Sequence, residues 1–93
     1  MSTSRYDKLK ELLAKETYPH SFPFKFIGKN TPLFLQGVHN FELKHLQLVL
    51  QSKKESKNQN HLSYTYFLEA KSLDSIIAIF QEIEKIPDLL IIL

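Results

Sequence analysis

Gly28-Lys29-Asn30-Thr31 stands directly before Pro32 and an apolar stripe at helical spacing. That combination could hold an anion. A helix start offers unbonded backbone N–H groups and the positive end of the helix dipole, which favour a carboxylate or phosphate. Asn30 or Thr31 suits a helix cap, and Pro32 suits the first helical position. Gly28 permits a sharp turn into the loop. The tetrapeptide is not a P-loop, because the upstream glycine that such a loop needs is absent. A small anionic ligand at Gly28, Lys29, Asn30 and Thr31 is one expectation; a plain turn and cap is the other.

The remaining chemistry-bearing residues argue against catalysis. There is no cysteine, which excludes disulfides, thiolate metal sites and thiol nucleophiles. The histidines are His20, His39, His45 and His61. Zinc sites usually draw helical ligands three or four residues apart, whereas His39 and His45 are six apart. Glu42, Glu69, Asp74 and Asp88 show no spacing that would set two carboxylates across a cleft. No nucleophile elbow is present. The expectation is a non-enzymatic protein with no metal and no cofactor.

The elements that must position these residues follow from periodicity. Ser4 to Glu16 reads as a helix, with Tyr6, Leu9, Leu12 and Leu13 on one side and Ser4 as its cap. Phe22, Phe24 and Phe26 alternate with Pro23, Lys25 and Ile27, which predicts a strand over Phe22–Ile27. Pro32–Lys44 reads as a helix with Phe34, Leu35, Val38, Phe41 and Glu42 on one side. Gly37 inside it costs about 1 kcal/mol relative to alanine, and a closely packed neighbour would explain it. Leu46–Gln51 alternates leucines with Gln47, Val49 and Gln51 and predicts a strand. Ser52–Asn60 has no apolar residue and reads as a hairpin loop. His61–Ala70 is a strand with Leu62, Tyr64, Tyr66, Leu68 and Ala70 on one face. Ser72 caps a helix carrying Leu73, Ile76, Ile77, Phe80 and Ile83, which Pro87 ends. Leu89–Leu93 is a last strand, apolar on both faces.

After the first helix the order is β-α-β-β-α-β. Two right-handed crossovers joined by a hairpin give an α+β ferredoxin-like plait. Its four-stranded antiparallel sheet has order 4-1-3-2, with two helices on one face. The 93 residues form one domain, 1–93, with the N-terminal helix at 4–16 and the plait over 22–93. A chain of this length buries roughly 60–65% of its unfolded surface and folds without staples.

The formal charge is +2, but Lys53, Lys54 and Lys57 sit in one polar run opposed only by Glu55. Without that run the chain holds nine basic and nine acidic residues, so charge alone makes no case for nucleic acid. No apolar run approaches the roughly 18 residues that span a bilayer. The first residues have no signal-peptide core. A cytoplasmic location and no membrane partner are expected.

At Tyr18-Pro19-x-x-Phe22-x-Phe24-Lys25-Phe26-Ile27-Gly28 the chain resembles the YbeD-like family of small uncharacterised bacterial proteins. Their pattern is an aromatic residue before proline, then an aromatic-rich strand ending Lys-Val-Ile/Met-Gly. Here Phe26 replaces the usual valine. The resemblance runs over residues 6–93, through the polar loop, the helix after Ser72 and the final strand. It implies a bacterial source, the same plait, and likeness to ACT domains, which are small-molecule regulatory modules. It brings no catalytic residues and no established ligand. Members often carry cysteine where this chain has His20, which speaks against a thiol role at that position here.

If the phenylalanines of the first strand face the helices, Lys25 and Ile27 face outward. The matching outward residues are Val49, Phe67 and Ile92. That bare face is the expected surface for a protein partner or a homodimer, unless the N-terminal helix folds over it. A regulatory ligand near Gly28–Thr31 is the runner-up. RNA binding is the rival from another class: it would need Tyr64 and Tyr66 on the outer face, and nucleic acid is not the expected partner.

Overall fold

The computed structural model describes residues 7–93. Seven elements follow one another: α1 (Asp7–Leu13), β1 (His20–Lys29), α2 (Pro32–Lys44), β2 (Val49–Glu55), β3 (His61–Ala70), α3 (Leu73–Ile83) and β4 (Leu89–Ile92). The sheet order is β2-β3-β1-β4, with every neighbouring pair antiparallel. This is the ferredoxin-like plait, with β1 and β3 central.

The core is set by alternation. Phe24 and Phe26 of β1 and Leu62, Tyr64, Tyr66, Leu68 and Ala70 of β3 are all buried. Residues directly opposite in an antiparallel pair share a face, and here Phe26 faces Tyr64 and Phe24 faces Tyr66. Phe26, Tyr64 and Tyr66 form one stack, with ring centroids 5.8–6.1 Å apart. The two β1 phenylalanines divide between the helices. Phe26 meets the edges of Phe34 and Phe41 of α2, while Phe24 meets Phe80 of α3 at 5.0 Å. Such edge contacts add about 0.5–1.5 kcal/mol each beyond burial.

Helix starts follow the sequence closely. Thr31 caps α2 by accepting from the Phe34 amide at 3.2 Å, and Pro32 takes the first turn. Ser72 caps α3 through the Ser75 amide at 3.3 Å. Gly37 is explained by contact: a methyl there would lie 2.7 Å from Pro87 Cδ and 3.0 Å from Ile86 Cγ2.

Several boundaries move. Ser4 lies outside the described residues. The described helix ends at Leu13, where a tighter bond from the Glu16 amide to the Leu13 carbonyl closes it. Its Leu13 joins the core, Tyr18 donates to the Leu13 carbonyl at 3.1 Å, and the Tyr18–Pro19 peptide is cis. β1 extends two residues beyond each predicted end, so Gly28 lies inside the strand rather than in a turn. The second strand begins at Val49, not Leu46. Leu46 is 81% exposed, and the Leu48 amide bonds back to the His45 carbonyl as the chain turns out of α2. Ser52–Glu55, expected as loop, pairs with β3. An edge strand needs only one partner and carries polar side chains readily, so the hairpin turn shrinks to Ser56–Asn60.

Candidate interaction face

Because Phe24 and Phe26 point under the helices, Lys25 and Ile27 point to the other side of β1. The register extends that face. Lys25 is opposite Thr65, Ile27 opposite Ser63 and Pro23 opposite Phe67. Across the next gap Val49 faces Phe67, Ser52 faces Thr65 and Lys54 faces Ser63. On the other side Ile91 faces Ile27. Lys25, Ile27, Val49 and Phe67 therefore lie together on one face. Ile92 does not: it is opposite Phe26 and packs toward the core. The final strand is apolar on both faces, so its pattern carried no phase, and Ile91 takes the outward place.

Among the described residues no helix covers this face. None of its side chains is buried; Ile27, Ser63, Thr65 and Phe67 are half-buried by their neighbours, and Lys25, Val49, Lys54 and Ile91 are exposed. The described helix packs elsewhere, since its buried Leu13 joins the core on the helical side. A groove of about 310 Å³ runs past Ile27, Lys54, His61 and Ser63 at the hairpin end. The face thus combines an apolar diagonal with lysines and hydroxyls.

The Gly28–Thr31 segment is arranged differently. The amides of Lys29, Asn30 and Thr31 donate to the carbonyls of Asp88, Asn60 and Lys29, each at 2.9 Å. The Asn30 side chain donates to the Gln59 carbonyl at 2.8 Å. Thr31 Oγ1 donates to Asp88 Oδ2 at 2.6 Å. The chain thus sets a carboxylate of its own beside the cap of α2, where an anion is favoured. Asp88 adopts φ 61° to reach it, a left-handed conformation that aspartate tolerates better than most residues. Gly28 serves packing: a methyl there would fall 2.1 Å from Phe34 Cε1.

Two polar links went unread in the sequence. Tyr66 donates to Glu42 Oε2 at 2.6 Å, and burial, then that bond and the Glu42 charge, push the phenol well above its ordinary range. The signal was an acid on the apolar side of α2 and a tyrosine on the buried side of β3. At the helix ends, His45 Nε2 lies 3.6 Å from Glu82 Oε1, and Lys85 lies 2.9 Å from Glu82 Oε2. The Lys85 hydrogen bond is the main cause that lowers the Glu82 pKa. Among the described residues no group of three histidine, aspartate or glutamate side chains is placed to hold a metal. No described helix is long and apolar enough to cross a membrane.

A family model described as "Protein of unknown function (DUF493)" matches residues 14–93. The chain belongs to this family. No curated protein matches it. A solved relative in fold is the solution structure of protein HP0495 from H. pylori, 19% identical, with 100% of this chain and 98% of that one covered and a TM-score of 0.61. At that identity the likeness speaks for the fold alone. For this DUF493 member, the YbeD-like resemblance of Tyr18–Gly28 and the plait agree.

Proposed function

We propose that this DUF493 domain is a non-catalytic interaction or regulatory module of the bacterial cytoplasm, working through the open face of its sheet. The observation that carries this reading is the coplanar set Lys25, Ile27, Val49 and Phe67, joined by Ile91, with no described helix over it. Apolar side chains gathered on an open face, rimmed by polar ones, favour contact with another protein. Ile27 sits at its middle, between Ser63 and Ile91. Ile27→Glu places a charge there without touching the core, so the thermal transition should stay close to that of the parent while capture of a protein partner is lost. Partner capture and sedimentation that match the parent would overturn the reading.

Two alternatives have less support. A small anion at Gly28–Thr31 would have to displace Asp88 from Thr31 and compete for amides already bonded within the chain. Titration calorimetry with amino acids and nucleotides at millimolar concentration tests it, and silence removes it. RNA would need aromatic platforms on the open face, whereas Tyr64 and Tyr66 are stacked in the core.

A further inference from the structure

The two edges of the sheet are built differently. The outer edge of β2 carries Lys53, Lys54 and Glu55, all exposed, and a register irregularity between Leu50 and Ser52. β4 has an irregularity too, so it is the charges that set the β2 edge apart and discourage strand addition there. The outer edge of β4 has no charged side chain from Leu89 to Leu93, and Leu90, Ile91 and Leu93 are 48%, 49% and 61% exposed. Its only interruption is the irregularity that leaves Leu90 unpaired between Leu89 and Ile91.

Hydrogen-bond phase fixes which groups are free on that edge. The Leu93 amide donates to the Lys25 carbonyl at 2.8 Å, so these two residues form a hydrogen-bonded pair. Alternation then turns the N–H and C=O of Ile92 away from β1, while Ile91 directs its own toward β1 and its side chain to the open face.

We infer that a second copy of this chain adds to the free edge of β4, antiparallel and about a two-fold axis at Ile91, joining the two sheets into one. A two-fold contact sets like against like, and the apolar side chains of Leu89–Leu93 meet their copies without placing two like-charged side chains together. Head-to-tail addition would instead set Lys53 and Lys54 of one copy against that apolar edge, so growth stops at the dimer. The edge is short, and the interface falls below that of a permanent dimer, so association is reversible. The open faces of the two copies become continuous through Ile91, but the dimer does not depend on what that face binds.

The chain has no cysteine, so a single Ile91→Cys reports one position. Across the free edge Ile91 faces its symmetry mate as a non-hydrogen-bonded pair, with Cα atoms about 4.5 Å apart, inside the disulfide range of about 4.4–6.8 Å. Mild oxidation should link Ile91→Cys into a covalent dimer, and leave Ile27→Cys and Val49→Cys uncoupled. Sedimentation of the parent should show a reversible species of twice 10.9 kDa, weakened at least about tenfold by Leu90→Lys. Ile27→Glu should leave the link at position 91 intact, which separates this inference from the face reading. A parent that stays monomeric at millimolar concentration with no link at 91 overturns the dimer, even if a strand of another protein occupies the edge. Linkage at 27 as readily as at 91 overturns the edge geometry in favour of face-to-face contact.

Discussion

Gly28→Ala tests the packing argument most directly. The added methyl would lie 2.1 Å from Phe34 Cε1 and 2.4 Å from Cδ1 and Cζ, whereas non-bonded carbons rest about 3.5–4.0 Å apart. The ring must therefore retreat by about 1.4 Å or more. It has little room: Phe34 is fully buried, with Phe26 and Tyr64 rings 6.3 and 6.0 Å away. Overpacking costs about 1–3 kcal/mol, and this contact belongs at the top of that range. A domain of this size has about 5–14 kcal/mol in hand, so Gly28→Ala should fold, with its urea midpoint lowered by about 2 M. Phe34→Ala alone should cost about 3–5 kcal/mol. In the double variant the new methyl enters the vacated space, so the two costs should fall short of additivity by about 2 kcal/mol. Urea unfolding of the four proteins, followed by far-ultraviolet circular dichroism, closes the cycle. An unchanged midpoint for Gly28→Ala, or strict additivity, would refute the reasoning.

Further expectations concern other contacts. Tyr66 holds its proton in the fold above its ordinary pKa of 10.0. Below that pH both folded and unfolded chains are protonated and stability is unaffected; above it the unfolded chain ionises first, so stability falls, by up to about 1.4 kcal/mol per pH unit from this group. Denaturation between pH 9 and 11.5 should therefore show a steeper loss in the parent than in Tyr66→Phe; equal slopes would contradict the assignment. Gly37→Ala should gain about 1 kcal/mol of helix propensity yet lose more against Pro87 and Ile86, for a net destabilisation of about 1 kcal/mol. A urea midpoint above the parent's would show that the segment after α3 yields instead.

Much of the fold was legible because its signals are local. β3 places Leu62, Tyr64, Tyr66, Leu68 and Ala70 at every second position, with Phe67 the one large apolar residue on the other side, and Ser72 stands where the helical stripe of α3 begins. Where legibility failed, the deciding contact was remote in sequence. The Leu46–Leu48–Leu50 alternation had the right period but the wrong start, because the α2 exit consumes Leu46 and Gln47. Ser52–Glu55 looked like loop because edge pairing needs backbone, not apolar side chains. Lys25, Ile27 and Phe67 could be read from parity, since β1 and β3 run unbulged from His20/Ala70 to Lys29/His61, and Val49 from its place beside Leu50, ahead of the irregularity in β2. Ile92 could not, because β4 offers no polar residue to mark a side. Gly28 was noticed for its freedom of angle, whereas the fold uses its lack of volume, and only Phe34 reveals that.

The bond from Thr31 to Asp88 spans 57 positions. It means that the opening crossover is fastened by a residue made 57 positions after the one it holds. Until Asp88 arrives, the start of α2 has its own cap but not the clasp that ties it to the closing segment. Damage around Asp88 should therefore be felt first in the turn after the first strand, far back along the chain.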